Sequence, residues 1–225
     1  SGQSDFLNAT IWKNRREAAI GRRGPRAFVD LSIGGLAEGP RLMVRKPLPC
    51  TNLEDLKFGN TMEDREKKRL QTLHGYRLLD TPPEPEFDDV VRRAAERFGT
   101  PIALMSLVDA DRQWFKAKVG LDVDETPRSV AFCAYAIQGD DVMVVEDARD
   151  DERFSRNPLV LDDPSIRFYA GAPVTAEGGD KLGTICIIDR KPRHDFSEAD
   201  REALTKLAAE VSRMLGSAKE MARTG

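Results

Sequence analysis

Histidine and cysteine are both scarce in this chain. Its 225 residues include two histidines, His74 and His194, and three widely spaced cysteines, Cys50, Cys133 and Cys186. No C-x-x-C pair is present and the cysteine number is odd, so neither a structural metal nor a disulfide framework is expected. Haem ligation meets the same shortage of imidazole. No apolar run approaches the roughly 20 residues that a membrane-spanning helix needs. The longest runs, 101–108 and 184–188, have the length of strands. A charged-then-apolar secretory leader is missing, and with reduced thiols as the default a cytoplasmic setting is expected. An excess of one charge is missing as well: Lys and Arg number 35 against 38 Asp and Glu. That balance gives nucleic acid no electrostatic reason to bind. The G-x-S-x-G, P-loop, H-E-x-x-H and G-x-G-x-x-G signatures are absent, so no catalytic residue is assigned and an enzyme is not expected.

What is present describes a globular protein. Hydrophobic residues make up 40% and charged residues 32%, with both signs interleaved. That suffices for one substantial core, or for one domain plus an appendage. Residues 1–61 differ from the rest: they are rich in Gly, Pro and Arg, locally basic, and lack sustained periodicity. Short strands are expected at 27–33 and 41–45, in an extension of unclear role that precedes a domain at 62–225.

From residue 63 the periodicity is clear. Residues 63–74 form a charged helix with Leu70 and Leu73 on one side, closed by Gly75. Phe87, Val90, Val91, Ala94, Ala95 and Phe98 recur at helical spacing, with Gly99 as the C-terminal cap and Pro101 barring extension. Residues 102–108 read as a strand covered on both faces. Across the turn at Asp109, the residues Trp114, Lys116 and Lys118 alternate with Phe115, Ala117 and Val119, which predicts a second strand with one wet face. A short helix at 130–137, a strand at 143–146 and an irregular polar stretch at 147–163 follow. A second hairpin joins 166–175 to 181–189 around Glu177-Gly178-Gly179-Asp180. Ser197 caps a final helix whose Leu204, Leu207, Val211, Met214, Ala218 and Met221 form a heptad seam; its first half is expected to pack on the sheet, and beyond Met214 a dimer-forming or output-coupling helix is expected. Hairpins without β-α-β crossovers predict an α+β fold: a central antiparallel sheet of five or six strands, with terminal helices on one face.

The ordered strings Tyr76-Arg77-Leu78-Leu79-Asp80-Thr81-Pro82-Pro83-Glu84, Asp111-Arg112-Gln113-Trp114-Phe115-Lys116, Phe132-Cys133-Ala134, Asp151-Glu152-Arg153-Phe154 and Arg167-Phe168-Tyr169-Ala170-Gly171-Ala172-Pro173 carry a resemblance. Together they resemble a GAF domain, of the GAF/PAS-like fold and of the subclass found in bacterial sensor histidine kinases and diguanylate cyclases. The resemblance implies a sensory or regulatory role, a homodimer formed through the terminal helices, a ligand pocket on the other face of the sheet, and a kinase or cyclase as output partner. Tyr135 departs from the pattern, because many relatives have His there. Cys133 is followed by Ala134, whereas bilin-binding relatives place His after their Cys, so no cofactor is expected.

Candidate site residues follow from that implied pocket. Phe115, Phe132, Cys133, Tyr135, Phe154, Tyr169 and Cys186 would wall it, with Asp147 and Arg153 as polar groups, a combination suited to a small organic ligand. Three other readings stand beside it. A ligand-free dimerisation scaffold needs no pocket. A thiol-dependent GAF-fold reductase would use Cys133 or Cys186. In the extension, Arg22 and Arg26 followed by Asp30-Leu31-Ser32-Ile33-Gly34-Gly35 resemble the two signatures of PilZ domains, which implies cyclic di-GMP binding through Arg22, Arg26, Asp30 and Ser32.

Overall fold

A computed structural model describes residues 61–224, with side chains as far as residue 217. The strands expected at 27–33 and 41–45, and the group Arg22, Arg26, Asp30 and Ser32, lie outside the described residues. No described helix is long and apolar enough to cross a membrane.

Three helices begin or end where the sequence places the signals. Helix α1 (Met62–Gly75) opens on a capping box: Thr61 Oγ1 accepts from the Asp64 amide at 3.1 Å, and the Asp64 carboxylate accepts from the Thr61 amide at 3.2 Å. Helix α2 (Pro85–Phe98) has proline in its first turn and ends at Gly99, whose φ of 57° is left-handed. The last helix, α5 (Glu198–Thr224), repeats the box: Ser197 Oγ accepts from the Asp200 amide, and the Asp200 carboxylate accepts from the Ser197 amide.

Six strands make one sheet: β1 (Ile102–Val108), β2 (Arg112–Val119), β3 (Glu125–Pro127), β4 (Met143–Val145), β5 (Phe168–Thr175) and β6 (Lys181–Asp189). Their spatial order is β3-β2-β1-β6-β5-β4, and every neighbouring pair is antiparallel. This is the expected α+β architecture. Helices α1, α2 and α5 cover one face, where Leu73, Phe87, Val91, Met105, Leu204 and Val211 share a core. Two single-turn helices, α3 (Cys133–Ala136) and α4 (Pro158–Leu161), and their loops cover the other face over Leu104, Phe115, Tyr169 and Cys186.

Four local expectations are corrected. Strand β2 has no wet face, because a bulge opposite Met105 and Ser106 shifts its alternation by one residue. Trp114, Lys116 and Ala117 are all buried as a result. The stretch 130–137 is not one helix: a 3₁₀ turn at Arg128–Val130 and helix α3 are separated by an extended Ala131. The polar stretch 147–163 contains α4, capped by the Asn157 side chain accepting from the Leu159 amide at 2.9 Å. The first half of the α5 seam packs on the sheet through Leu204, Leu207 and Val211, but Leu215 is buried more deeply than Met214, which packs only partly against the same core, since a period of 3.6 returns the same face eleven residues after Leu204. The side chains of Ala218 and Met221 lie beyond the described ones. Strand β3 was not foreseen; three residues are too few for a periodic signal.

The bulge creates a buried cation. The Lys116 ammonium meets Glu84 Oε1 at 2.5 Å, donates to Thr81 Oγ1 at 2.7 Å and to the Pro82 carbonyl at 2.9 Å, and lies 5.6 Å from the centre of the Phe87 ring. It thereby fastens the linker between α1 and α2 to the sheet. Glu84→Ala is expected to cost about 1.5–3 kcal/mol, because it leaves a buried ammonium with neutral partners only. Lys116→Met, of similar volume, should stay within about 1 kcal/mol. Urea denaturation of both variants measures the asymmetry.

A second tether holds α1. The Glu66 carboxylate accepts from Arg69 at 2.8 Å and from Arg128 at 2.6 Å, and Arg128 also donates to the Asp109 carbonyl at 2.9 Å. Its bond to Arg69, opposed by burial and aided by Arg128, lowers the Glu66 pKa from 4.5 to about 2. Folded Glu66 binds its proton less readily than unfolded Glu66. Its contribution is therefore complete above pH 4.5 and is lost as pH falls towards 2. Glu66→Gln should remove on the order of 1 kcal/mol at pH 7, after allowance for solvent screening, and the deficit should shrink as the pH is lowered from 5 towards 2. Melting temperatures across that range test it.

Candidate functional site

The face opposite the long helices has a polar floor beneath an aromatic cover. Alternation along the central strands sends Ser106 of β1 and Thr184 of β6 to this face as direct cross-strand partners. Their hydroxyl oxygens lie 3.1 Å apart, both fully buried. Two residues further along β6, Cys186 stands on the same face. From α3 above it, Cys133 brings its sulfur to 3.9 Å from the Cys186 sulfur. The Tyr169 hydroxyl of β5 donates to Cys133 Sγ at 3.3 Å. Five buried polar side chains thus meet in an otherwise apolar layer.

Glycine shapes this floor at one position. A Cβ on Gly171 would lie 2.1 Å from the Tyr169 hydroxyl oxygen and 2.6 Å from its Cζ. The missing side chain allows the Tyr169 ring to lie along the strand and reach Cys133.

The cover is made of stacked rings. Phe132 stacks on Phe154 with centroids 3.9 Å apart at 11°, and tilts against Tyr169 at 5.2 Å. Tyr135 meets Phe154 edge-on at 5.0 Å and is 41% exposed, so it forms the outer skin of the cover. Phe115 closes the layer from β2.

Titration follows from this crowding. Burial opposes the Cys133 thiolate, but hydrogen bonds with Cys186, Ser106, Thr184 and Tyr169 outweigh it and bring the Cys133 pKa below the ordinary thiol value. Its contact with Cys133, and then burial, push the Cys186 thiol well above that value. Burial, reinforced by the two sulfurs, raises the Tyr169 phenol.

The structure therefore gathers Phe115, Phe132, Cys133, Phe154, Tyr169 and Cys186 into one layer, with Tyr135 at its outer rim. It does not bring Asp147 and Arg153 to the floor. Asp147 accepts from the amide and guanidinium of Arg149, which lowers its pKa. Arg153 pairs with Asp151 and lies over the outer side of the Phe154 ring at 4.9 Å. Both hold the long loop in shape. Ser106 and Thr184 were missed by sequence reasoning. The available signal was a lone hydroxyl residue inside each of two apolar strands. Among the described residues no group of His, Cys, Asp and Glu is arranged to hold a metal ion. Two surface concavities of the described residues lie elsewhere, on the outer side of α1 and between α2 and α5.

Gly171→Ala should displace Tyr169 and destabilise the fold by about 1–3 kcal/mol. In the Tyr169→Leu background the same substitution should cost measurably less, since the clashing atoms are gone. Denaturation of the four proteins of this cycle gives the coupling.

Comparison with known proteins supports the architecture. The family model described as GAF domain matches residues 82–215, more than half of the chain. The protein named Cyclic di-GMP phosphodiesterase PA2567, from Pseudomonas aeruginosa, is 47% identical over 131 residues. That match takes in 58% of this chain and 22% of the relative, so the chain spans about a fifth of the relative's length. The GAF domain of a phosphoenolpyruvate-protein phosphotransferase from Acinetobacter superposes with a TM-score of 0.51 at 20% identity, covering 70% of this chain and 97% of that one. A free methionine-R-sulfoxide reductase from Neisseria meningitidis superposes with a TM-score of 0.51 at 18% identity, covering 70% and 91%. Both structural likenesses are at the level of the fold. On its sequence match and its six-stranded architecture, this chain belongs to the GAF domain family.

Proposed function

We propose that this chain is a regulatory module of a signalling protein, one that receives a small organic ligand at the Ser106–Thr184–Cys133–Cys186–Tyr169 floor and relays its occupancy through α1 and α5. The observation that carries the reading is the floor itself. Hydroxyls and thiols in a buried apolar layer cost free energy unless they serve specific partners, and here they converge on one spot beneath a cover of rings. Entry of a ligand requires the Phe132–Phe154 stack to swing outwards. The output module in this reading is a kinase, a cyclase or an enzyme of cyclic di-GMP turnover. The 47% identity with part of a phosphodiesterase of that nucleotide supports the last class. The role is regulatory rather than catalytic.

The relay works best in a homodimer joined through the terminal helices. Met62 is 74% exposed and, with the half-buried Leu70, makes an apolar outer face on α1. A second reading, a ligand-free dimerising scaffold, draws support from the tight Phe132–Phe154 stack.

Native mass spectrometry of the purified chain, compared with its denatured mass, separates the two readings. An extra non-covalent mass supports the ligand reading; a dimer that stays empty after exposure to a metabolite library supports the scaffold. Sedimentation equilibrium should show a dimer whose dissociation constant rises about tenfold or more in Met62→Glu, the scale of one interface anchor. Wild-type protein that stays monomeric at high concentration overturns the dimer.

A further inference from the structure

The floor contains a reaction that ligand binding does not use. We propose that Cys133 and Cys186 form a reversible intramolecular disulfide when the chain meets a hydroperoxide, pinning helix α3 to strand β6. The geometry is nearly in place: the sulfurs are 3.9 Å apart, and a disulfide of about 2.05 Å needs them to close by about 2 Å. The two cysteines lie on separate elements, one on the cover and one on the central sheet, so the bond changes what the cover can do. Cys133 Sγ also accepts from the Tyr169 hydroxyl, so the pair sits at the polar floor.

The partners assign the order of events. Cys133 Sγ accepts a hydrogen bond from the Tyr169 hydroxyl at 3.3 Å, which favours its anion. As thiolate, Cys133 attacks an oxygen of the hydroperoxide. The O–O bond breaks, a sulfenic acid forms, and the departing oxygen leaves as water or an alcohol, taking the proton that the thiol released. The Cys186 sulfur then attacks the sulfenic sulfur. The S–S bond forms, the S–O bond breaks, and hydroxide leaves as water with the Cys186 proton. Two thiols lose two electrons and two protons, and the peroxide gains them. Access is short, since α3 is one turn long and Tyr135 on it is exposed, so a local opening of α3 admits the peroxide. The proposal stands whether or not an organic ligand binds the floor.

The test uses the full chain with Cys50→Ser, so that the only thiols are these two. After hydrogen peroxide treatment, quenching and denaturation, alkylation should count no free thiols instead of two. The mass should fall by two hydrogens, and a proteolytic peptide should join Cys133 to Cys186. Dithiothreitol should restore both thiols, with unchanged circular dichroism throughout. Adding Cys133→Ser should leave the Cys186 thiol intact at the same dose. Two thiols that survive a dose able to oxidise the guanidinium-unfolded chain overturn the proposal. So do disulfide-linked dimers in place of the internal bond, or oxygen added to Cys133 with Cys186 still free. Loss of the Cys186 thiol in the Cys133→Ser protein overturns the order of attack.

Discussion

Strand β1 is buried at all seven of its positions, and that requirement organises the rest of the chain. A strand covered on both faces needs two layers of cover. It has antiparallel neighbours on both sides, β2 and β6. One layer comes from long amphipathic helices, which a sequence can specify by periodicity and by caps. The other comes from short turns and loop side chains, which are held by many individual contacts. Asn157 shows how the second layer works: its oxygen caps α4 while its amide donates to the Val130 carbonyl at 2.9 Å, joining two irregular segments. The division of labour explains why α1, α2 and α5 form the scaffold and why the candidate site lies under α3 and α4.

The two layers also differ in chemistry. Beneath the long helices the sheet presents Ala103, Met105, Leu107, Ala170 and Ala172, all apolar. On the opposite side the same strands present Ser106, Thr184, Cys186 and Tyr169. On the helix side the buried Lys116 is neutralised by Glu84, Thr81 and the Pro82 carbonyl. That cation has a structural task, fastening a proline-containing linker that makes no ladder bonds of its own. The polar floor fastens no linker. Its members bond chiefly to one another.

Much of this was legible in the sequence. The helices at α1, α2 and α5 follow from spaced apolar residues and from Ser197, Gly99 and the proline positions. The antiparallel hairpins follow from strand-length apolar runs bounded by turns. What escaped reading has a common cause: alternation is a local rule, and features that depend on a partner strand do not obey it. The bulge of β2 is invisible in Phe115-Lys116-Ala117 because it is defined by what lies opposite, namely Met105 and Ser106. The site shows the same limit. Phe132, Cys133, Phe154, Tyr169 and Cys186 were picked out by residue type and by family resemblance, and they do converge. Ser106 and Thr184 look like ordinary β-strand residues until pairing sets them side by side. Asp147 and Arg153 carried charge in the right loop, but each has a nearer partner, Arg149 and Asp151, two residues away.

The proposed relay has to cross a single sheet, and the alternation of β5 sets how. Tyr169 faces the floor, while Phe168 and Ala170 on either side face the long helices. The far end of β5 is fastened to α5, since the Thr175 amide donates to Ser212 Oγ at 2.9 Å. Helix α5 is in turn joined to α2 through Arg93 and Glu210. A graded push on a strand held this way would be absorbed by the packed core. A relay instead needs an element with discrete arrangements. The Tyr169 ring meets that need, because the space over Gly171 that it fills exists only where a Cβ is missing. A ligand at the floor, or a disulfide at Cys133, acts directly on this ring. Occupancy at the floor and oxidation of the thiol pair would then converge on the same side chain, one residue away from Phe168 and Ala170 on the helix side.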